Sequence, residues 1–160
     1  MSNLIVILGS NSGEREKYLQ FAINNIQKEV GEILRFSSIY ESESWGYSSK
    51  NLYLNQVIEL QAYKDAESLL HIFQNIEKKA GRIRNNEEYS DRTLDIDILF
   101  YGNLIIHSEN LIIPHSKIPL RQFVLQPLCE LMPDFIHPEL HRSMQELLLE
   151  CKDRSEVRKR

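Results

Sequence analysis

A β-α-β-β-α-β order along the chain predicts an α+β fold, an antiparallel sheet with helices against one face in the ferredoxin-like arrangement. Three observations carry that prediction: two stretches with apolar residues at helical spacing, strand-like runs rich in β-branched and aromatic residues, and Gly, Asn and Asp at the joins. Residues 4–8 form the first strand. The following turn, GSNSG at 9–13, offers Asn11 or Ser12 as cap of a helix whose stripe is Leu19, Ala22, Ile23, Ile26 and Val30, with Gly31 stopping it. Residues 34–42 and 53–62 read as the next two strands, separated by a polar loop holding Trp45, Gly46 and Lys50. Asp65 caps the second helix, Ala66, Leu69, Leu70, Phe73, Ile76 and Ala80 form its buried stripe, and Gly81 ends it. Residues 94–101 form the last strand of the pattern, turning at Gly102 and Asn103 into a short partner. The basic end, KDRSEVRKR at 152–160, reads as a frayed tail.

A chain of 160 residues without repeat, low-complexity tract or linker is expected to form one domain, residues 1–160, with a core large enough to stand without disulfides. A formal charge of −4 gives no global attraction for nucleic acid or an anionic membrane, so any phosphate recognition has to be local. Cys129 and Cys151 lack metal-ligand spacing and read as free thiols, which suits a reducing compartment. No apolar run approaches a membrane span, and the first six residues lack a basic, cleavable leader. A cytoplasmic monomer is the expectation.

The run RTLDIDILF at 92–100 places Asp95 and Asp97 in an otherwise apolar strand. Side chains at i and i+2 share a face, so the two carboxylates project together while Leu94, Ile96 and Ile98 enter the core. At a separation of about 6 Å and an effective dielectric of about 20, their repulsion is about 3 kcal/mol before desolvation. A cation offsets it, and hard oxygen ligands with few other donors favour Mg²⁺ shared with substrate phosphates. The plainer alternative is a strand carboxylate paired with an arginine. Arg82, Arg84 and Arg92 lie just upstream, and His115 and Arg121 follow downstream. Guanidinium groups bind phosphate oxygens bidentately, so arginines beside such a pair fit a polyphosphate-transfer site.

Other motifs are weaker. GSNSG follows a strand and opens a helix, yet it lacks the Gly-Lys-Ser/Thr ending of a phosphate loop and reads as a turn and cap. His137 and His141 are four apart, but Pro138 interrupts any helix on which they would share a face. Tyr53 and Asn55 have one strand parity, so a ring and an amide face one side together. That pair suits a flat heterocycle with donors and acceptors along its edge; Tyr53 as an ordinary core aromatic is the alternative.

ILGSN (7–11), YLN (53–55), GRIR (81–84), RTLDIDIL (92–99), Pro114 with His115, and RQFVLQPL (121–128) together resemble the 6-hydroxymethyl-7,8-dihydropterin pyrophosphokinases of folate biosynthesis, in order and spacing over about residues 4–133. The resemblance implies the ferredoxin-like fold with added helical segments, within 121–131 and 143–150. It implies transfer of a diphosphate from ATP to the pterin hydroxymethyl group, releasing AMP. Asp95 and Asp97 would hold two Mg²⁺ ions, and Arg82 and Arg92 would stabilise charge during displacement. Contacts to ATP carry over to Gln74, Glu77, Arg82, Arg84, Arg92, Ile98, His115 and Arg121. Contacts to the pterin carry over to Ser42, Glu43, Trp45, Tyr53, Asn55, Asp95 and Phe123, and the GSNSG turn at 9–13 would be a wall of the site. The hydroxyl proton goes to Asp97 or to a metal-bound water. This chain departs from the family pattern where Tyr89, Ser90 and Asp91 replace a frequent Trp-Gly-Pro run, and where SESWG at 42–46 replaces a proline-containing entry. Two other classes fit parts of the pattern: a phosphoryl transferase that leaves ADP, and an RNA-binding sheet, which the missing RNP signature disfavours.

Overall fold

The computed structural model describes residues 2–81, 91 and 93–160. The order is β1 (Ser2–Ser10), α1 (Arg15–Glu29), β2 (Ile33–Phe36), β3 (Tyr40–Ser42), β4 (Tyr53–Ala62), α2 (Ala66–Lys79), β5 (Asp95–Tyr101), β6 (Ile106–His107), β7 (Ile112–Ile113), a 3-10 turn (Ile118–Leu120), α3 (Gln122–Leu131), α4 (Met144–Glu150) and β8 (Val157–Lys159). The main sheet runs β5-β1-β4-β3-β8, with β2 also on β4, and its pairs are antiparallel. This is the predicted α+β arrangement.

Alternation along β1 divides the interior. Leu4, Val6 and Leu8 pack with Leu19 and Ile26 of α1 and Leu69, Phe73 and Ile76 of α2. Ile5 and Ile7 turn the other way, onto Val124, Leu125 and Leu128 of α3 and Met144 and Leu147 of α4. The added helices therefore cover the opposite face of the sheet. Gly31 is required by close approach: a Cβ there would sit 2.3 Å from the Gln61 carbonyl oxygen.

Several local expectations are corrected. Neither Asn11 nor Ser12 caps α1; the cap position is Glu14, because the chain first turns through Gly13 at φ +73°. Residues 34–42 are two strands. The Ser37 hydroxyl accepts the Val57 N–H at 2.9 Å, replacing a ladder bond and separating β2 from β3. The short strand after Gly102 pairs with β7 and not with β5. The tail is ordered at its end: β8 pairs with β3, and the Arg160 N–H donates to the Ile39 carbonyl at 2.9 Å. Asp65 caps α2 by accepting the Ser68 N–H, and Ser143 with Glu146 forms a capping box on α4. Among the described residues no helix is long and apolar enough to cross a membrane.

Candidate active site

The register of β1 against its neighbours builds the floor of the site. Gly9 lies opposite Asn55 of β4 on one side and Asp95 of β5 on the other; two residues back, Ile7 lies opposite Asp97. Strands spaced about 4.8 Å apart put Asn55 and Asp95 about 10 Å from one another across the glycine. A side chain on Gly9 would crowd this row, since its Cβ would stand 3.0 Å from Asn55 Oδ1. Above the row opens a cavity of about 320 Å³, bounded by Tyr53, Asn55, Asp95, Asp97, His115 and Phe123 among others. A second cavity of about 250 Å³ adjoins it, lined by Leu70, Ile98 and residues of the β6–β7 hairpin, and shares Asp97, His115 and Ser116 with the first.

Asn55 is buried and its amide donates to Ser42 Oγ at 3.1 Å, so Ser42 orients it from behind. The loop joining β3 to β4 carries Trp45 and Tyr47 to the cavity. On the far wall, Arg121 at the cap of α3 lies with its guanidinium carbon 4.7 Å from the Trp45 ring centre and 5.5 Å from that of Phe123. Among the described residues its buried Nε finds no hydrogen-bond partner. A guanidinium so held offers charge to an anion and occupies one face of Phe123.

His115 is fixed at two points. Its backbone N–H donates to the Leu99 carbonyl at 3.0 Å, and its ring Nδ1 accepts the Lys117 backbone N–H at 3.1 Å. Burial, with Arg121 nearby, lowers its pKa to about 4, so the ring is neutral at pH 7. With Nδ1 accepting, the proton sits on Nε2, which is then a neutral donor. The Leu99 carbonyl is reachable because β5 bulges there: Ile5 pairs with Phe100 but Val6 with Ile98.

The remaining predicted residues lie around this centre. Glu77 is buried and its carboxylate accepts the Ile96 N–H at 2.8 Å, which ties α2 to β5 between the two aspartates. Gln74 is half-buried one helical turn beyond Leu70. Glu43 is exposed, and neither it nor Ser42 lines the first cavity. Arg82, Arg84 and Arg92 lie outside the described residues, as do Tyr89 and Ser90. The sequence reading missed Ile7, Tyr47, Leu99, Ser116, Lys117 and Val124 as wall residues. Gly9, in the turn that the resemblance sets beside the substrates, does line the cavity, as a glycine in a strand that leaves room for something to approach.

Two adjoining cavities that share a carboxylate and a neutral imidazole form a candidate site with room for two ligands side by side. The chain belongs to the 7,8-dihydro-6-hydroxymethylpterin-pyrophosphokinase (HPPK) family, whose model matches residues 5–133. It is 38% identical over 142 residues to the 2-amino-4-hydroxy-6-hydroxymethyldihydropteridine pyrophosphokinase of Porphyromonas gingivalis, covering 87% of this chain and 96% of that one. The Aquifex aeolicus protein of that name is 34% identical, with 91% of this chain and 90% of the relative covered. Among solved structures, an HPPK-DHPS in complex with substrates superposes with a TM-score of 0.78 at 14% identity, covering 93% of this chain. The present chain spans 43% of that one's length, and the likeness is one of fold.

Proposed function

We propose that the larger cavity binds 6-hydroxymethyl-7,8-dihydropterin, that the adjoining one receives ATP, and that the diphosphate passes between them beside Asp97 and His115. The reaction is that of the family: the hydroxymethyl oxygen attacks the β-phosphorus of ATP, the bond from that phosphorus to the α-phosphate's bridging oxygen breaks, and AMP leaves. The observation that carries the assignment is the row Asn55, Gly9, Asp95. A fused two-ring heterocycle laid over the glycine pairs its edge with the Asn55 amide and points a one-carbon arm toward the aspartates.

Tyr53 and Phe123 offer ring faces to the heterocycle, and Arg121 withdraws from Phe123 toward the phosphates to admit it. His115 donates from Nε2 to a phosphate oxygen as a neutral ring. Arg82, Arg84 and Arg92, from their place in the sequence, bind the triphosphate, and Arg82 and Arg92 gain contact as charge shifts in the transition state. Gln74, Glu77 and Ile98 serve the nucleotide side; Ser42, Glu43 and Trp45 serve the acceptor side.

The donor set fits Mg²⁺. Asp95 and Asp97 present oxygen ligands on one sheet face toward one cavity, and no group of three acidic, histidine or cysteine side chains forms a metal site among the described residues. Two carboxylates of this kind would hold two Mg²⁺ ions whose other ligands are water and triphosphate. When bound, the ions neutralise the triphosphate and lower the cost of ionising the acceptor hydroxyl. The enzyme acts as a monomer in the cytoplasm, where the free thiols Cys129 and Cys151 stay reduced.

Nucleotide chromatography tests the assignment. With ATP, Mg²⁺ and the pterin, the purified protein should release AMP and form the pterin diphosphate, and AMP should not accumulate without pterin. ADP as the main product, or AMP formed regardless of pterin, overturns it.

A further inference from the structure

The carboxylate of Asp91 gathers side chains from two other parts of the chain. Its Oδ1 accepts from Asn11 Nδ2 at 2.9 Å, the Tyr47 hydroxyl at 3.0 Å and Ser49 Oγ at 2.8 Å, and its Oδ2 accepts from Asn51 Nδ2 at 2.8 Å. Asn11, itself buried at the end of β1, also donates to the Tyr47 hydroxyl at 3.1 Å. The Tyr47 and Tyr53 hydroxyls stand 3.0 Å apart. One side chain thus ties the turn after β1, the β3–β4 loop and the approach to β5 into a single polar cluster. Tyr47 and Tyr53 both line the larger cavity.

We propose that Asp91 is a positioning residue for the acceptor substrate: it holds the β3–β4 loop over the larger cavity and sets the Tyr47 and Tyr53 rings as a preformed wall. The physical argument is entropic. Residues 43–52 form a ten-residue connection without regular structure, and each of its residues costs on the order of 1 kcal/mol to order when substrate binds. A loop already fastened at Tyr47, Ser49 and Asn51 has met most of that cost beforehand, so more of the contact energy appears as affinity. Trp45, between the fastened segment and β3, reaches across to Arg121. The loop is therefore anchored on both sides of the cavity. An aspartate suits this task because one oxygen accepts three donors, which an ionised carboxylate does better than any neutral acceptor.

The proposal rests on the pterin-pocket reading, and the experiment separates the two. In the full chain, Asp91→Ala should raise KM for 6-hydroxymethyl-7,8-dihydropterin about tenfold, with kcat and ATP affinity changed less than about twofold. Asp91→Asn keeps a neutral oxygen for the three donors but sets an NH2 where Asn51 donates, so it should recover part of the loss. Tyr47→Phe, which removes only the central hydroxyl, should shift the pterin KM in the same direction by a smaller factor. Trp45 is the chain's single tryptophan, so acrylamide quenching of its fluorescence in the ligand-free protein reads the loop directly. Quenching should increase in Asp91→Ala and fall partway back in Asp91→Asn. Unchanged pterin KM and unchanged quenching in Asp91→Ala would overturn the proposal, as would equal losses for pterin and ATP. Asn55→Ala is the control for the pocket: if it weakens pterin binding while Asp91→Ala does not, the pocket stands and the positioning role falls. If Asn55→Ala leaves pterin binding unchanged, both fall.

Discussion

The two faces of the sheet are built from the same strands and end differently. On the α1–α2 face, Leu4, Val6 and Leu8 of β1 meet an unbroken apolar layer that includes Leu19, Leu69, Phe73, Ile76 and Leu94. On the α3–α4 face, the apolar layer of β1 runs through Ile5 and Ile7 and then stops. The next position is Gly9, flanked by Asn55 and Asp95, and there the cavity begins. The candidate site is thus the place where one of two cores is left unfinished. The Leu99 bulge sharpens the boundary. By turning both Leu99 and Phe100 toward α3 and α4, it closes that core just beyond Asp97 and frees the carbonyl that fixes His115. Stability and chemistry are divided between faces, and substitution on each face should move one without the other.

The largest effect should come from the closed face. Phe73 is 1% exposed, and Phe73→Ala should cost about 3–5 kcal/mol in a urea titration, through lost burial and a cavity that α2 cannot collapse to fill. Activity per folded molecule should stay near that of the parent at low temperature. A fall in kcat beyond the folded fraction would show that the faces are coupled.

On the open face the pattern should reverse. Asp95→Asn and Asp97→Asn should each lower turnover at least about 10²-fold at limiting Mg²⁺. Stability should hold or rise, because removing one charge relieves the repulsion between neighbours on one strand face. Near-normal turnover in either variant would remove that residue from the metal site, and a large stability loss would return it to a structural ion pair.

What the sequence disclosed follows the same division. Asp95 and Asp97 were legible because a period of two in an apolar strand is a strong pattern, and the helical stripes around Leu19 and Phe73 were legible for the same reason. The Leu99 bulge was not, since a single inserted residue leaves the composition of a strand unchanged. Nor was β8: Val157, Arg158 and Lys159 carry no apolar signature, and their pairing with β3 is made by backbone groups that any sequence possesses. Asn11 was read as a helix cap, the commonest use of that residue after a strand. Its partners, Tyr47 and Asp91, lie 36 and 80 residues away, beyond any local rule. Tyr47 reached the site through the same long-range cluster.

The smallest predicted effect concerns pH, and it too belongs to the open face. The His115 pKa lies at about 4 in the folded protein, lowered by burial and by Arg121, against about 6.5 when unfolded. Between those values the unfolded chain binds the extra proton, so stability rises with pH through the window, is fully present above about 6.5 and is lost as pH falls toward 4. His137, buried with its ring edge-on to Phe100, is lowered by burial and adds in the same direction. Carboxylates held low by hydrogen bonds, such as Glu130 and Asp153, lose their contribution only as pH falls below the ordinary carboxylate range. Urea midpoints between about pH 5 and 6.5 therefore isolate the histidines, each contributing a slope of at most about 1.4 kcal/mol per pH unit. His115→Gln should flatten that slope while leaving the His137 share. An undiminished slope in the variant would mean that His115 takes up its proton in the folded state as readily as in the unfolded one, and that burial and Arg121 do not hold its ring neutral.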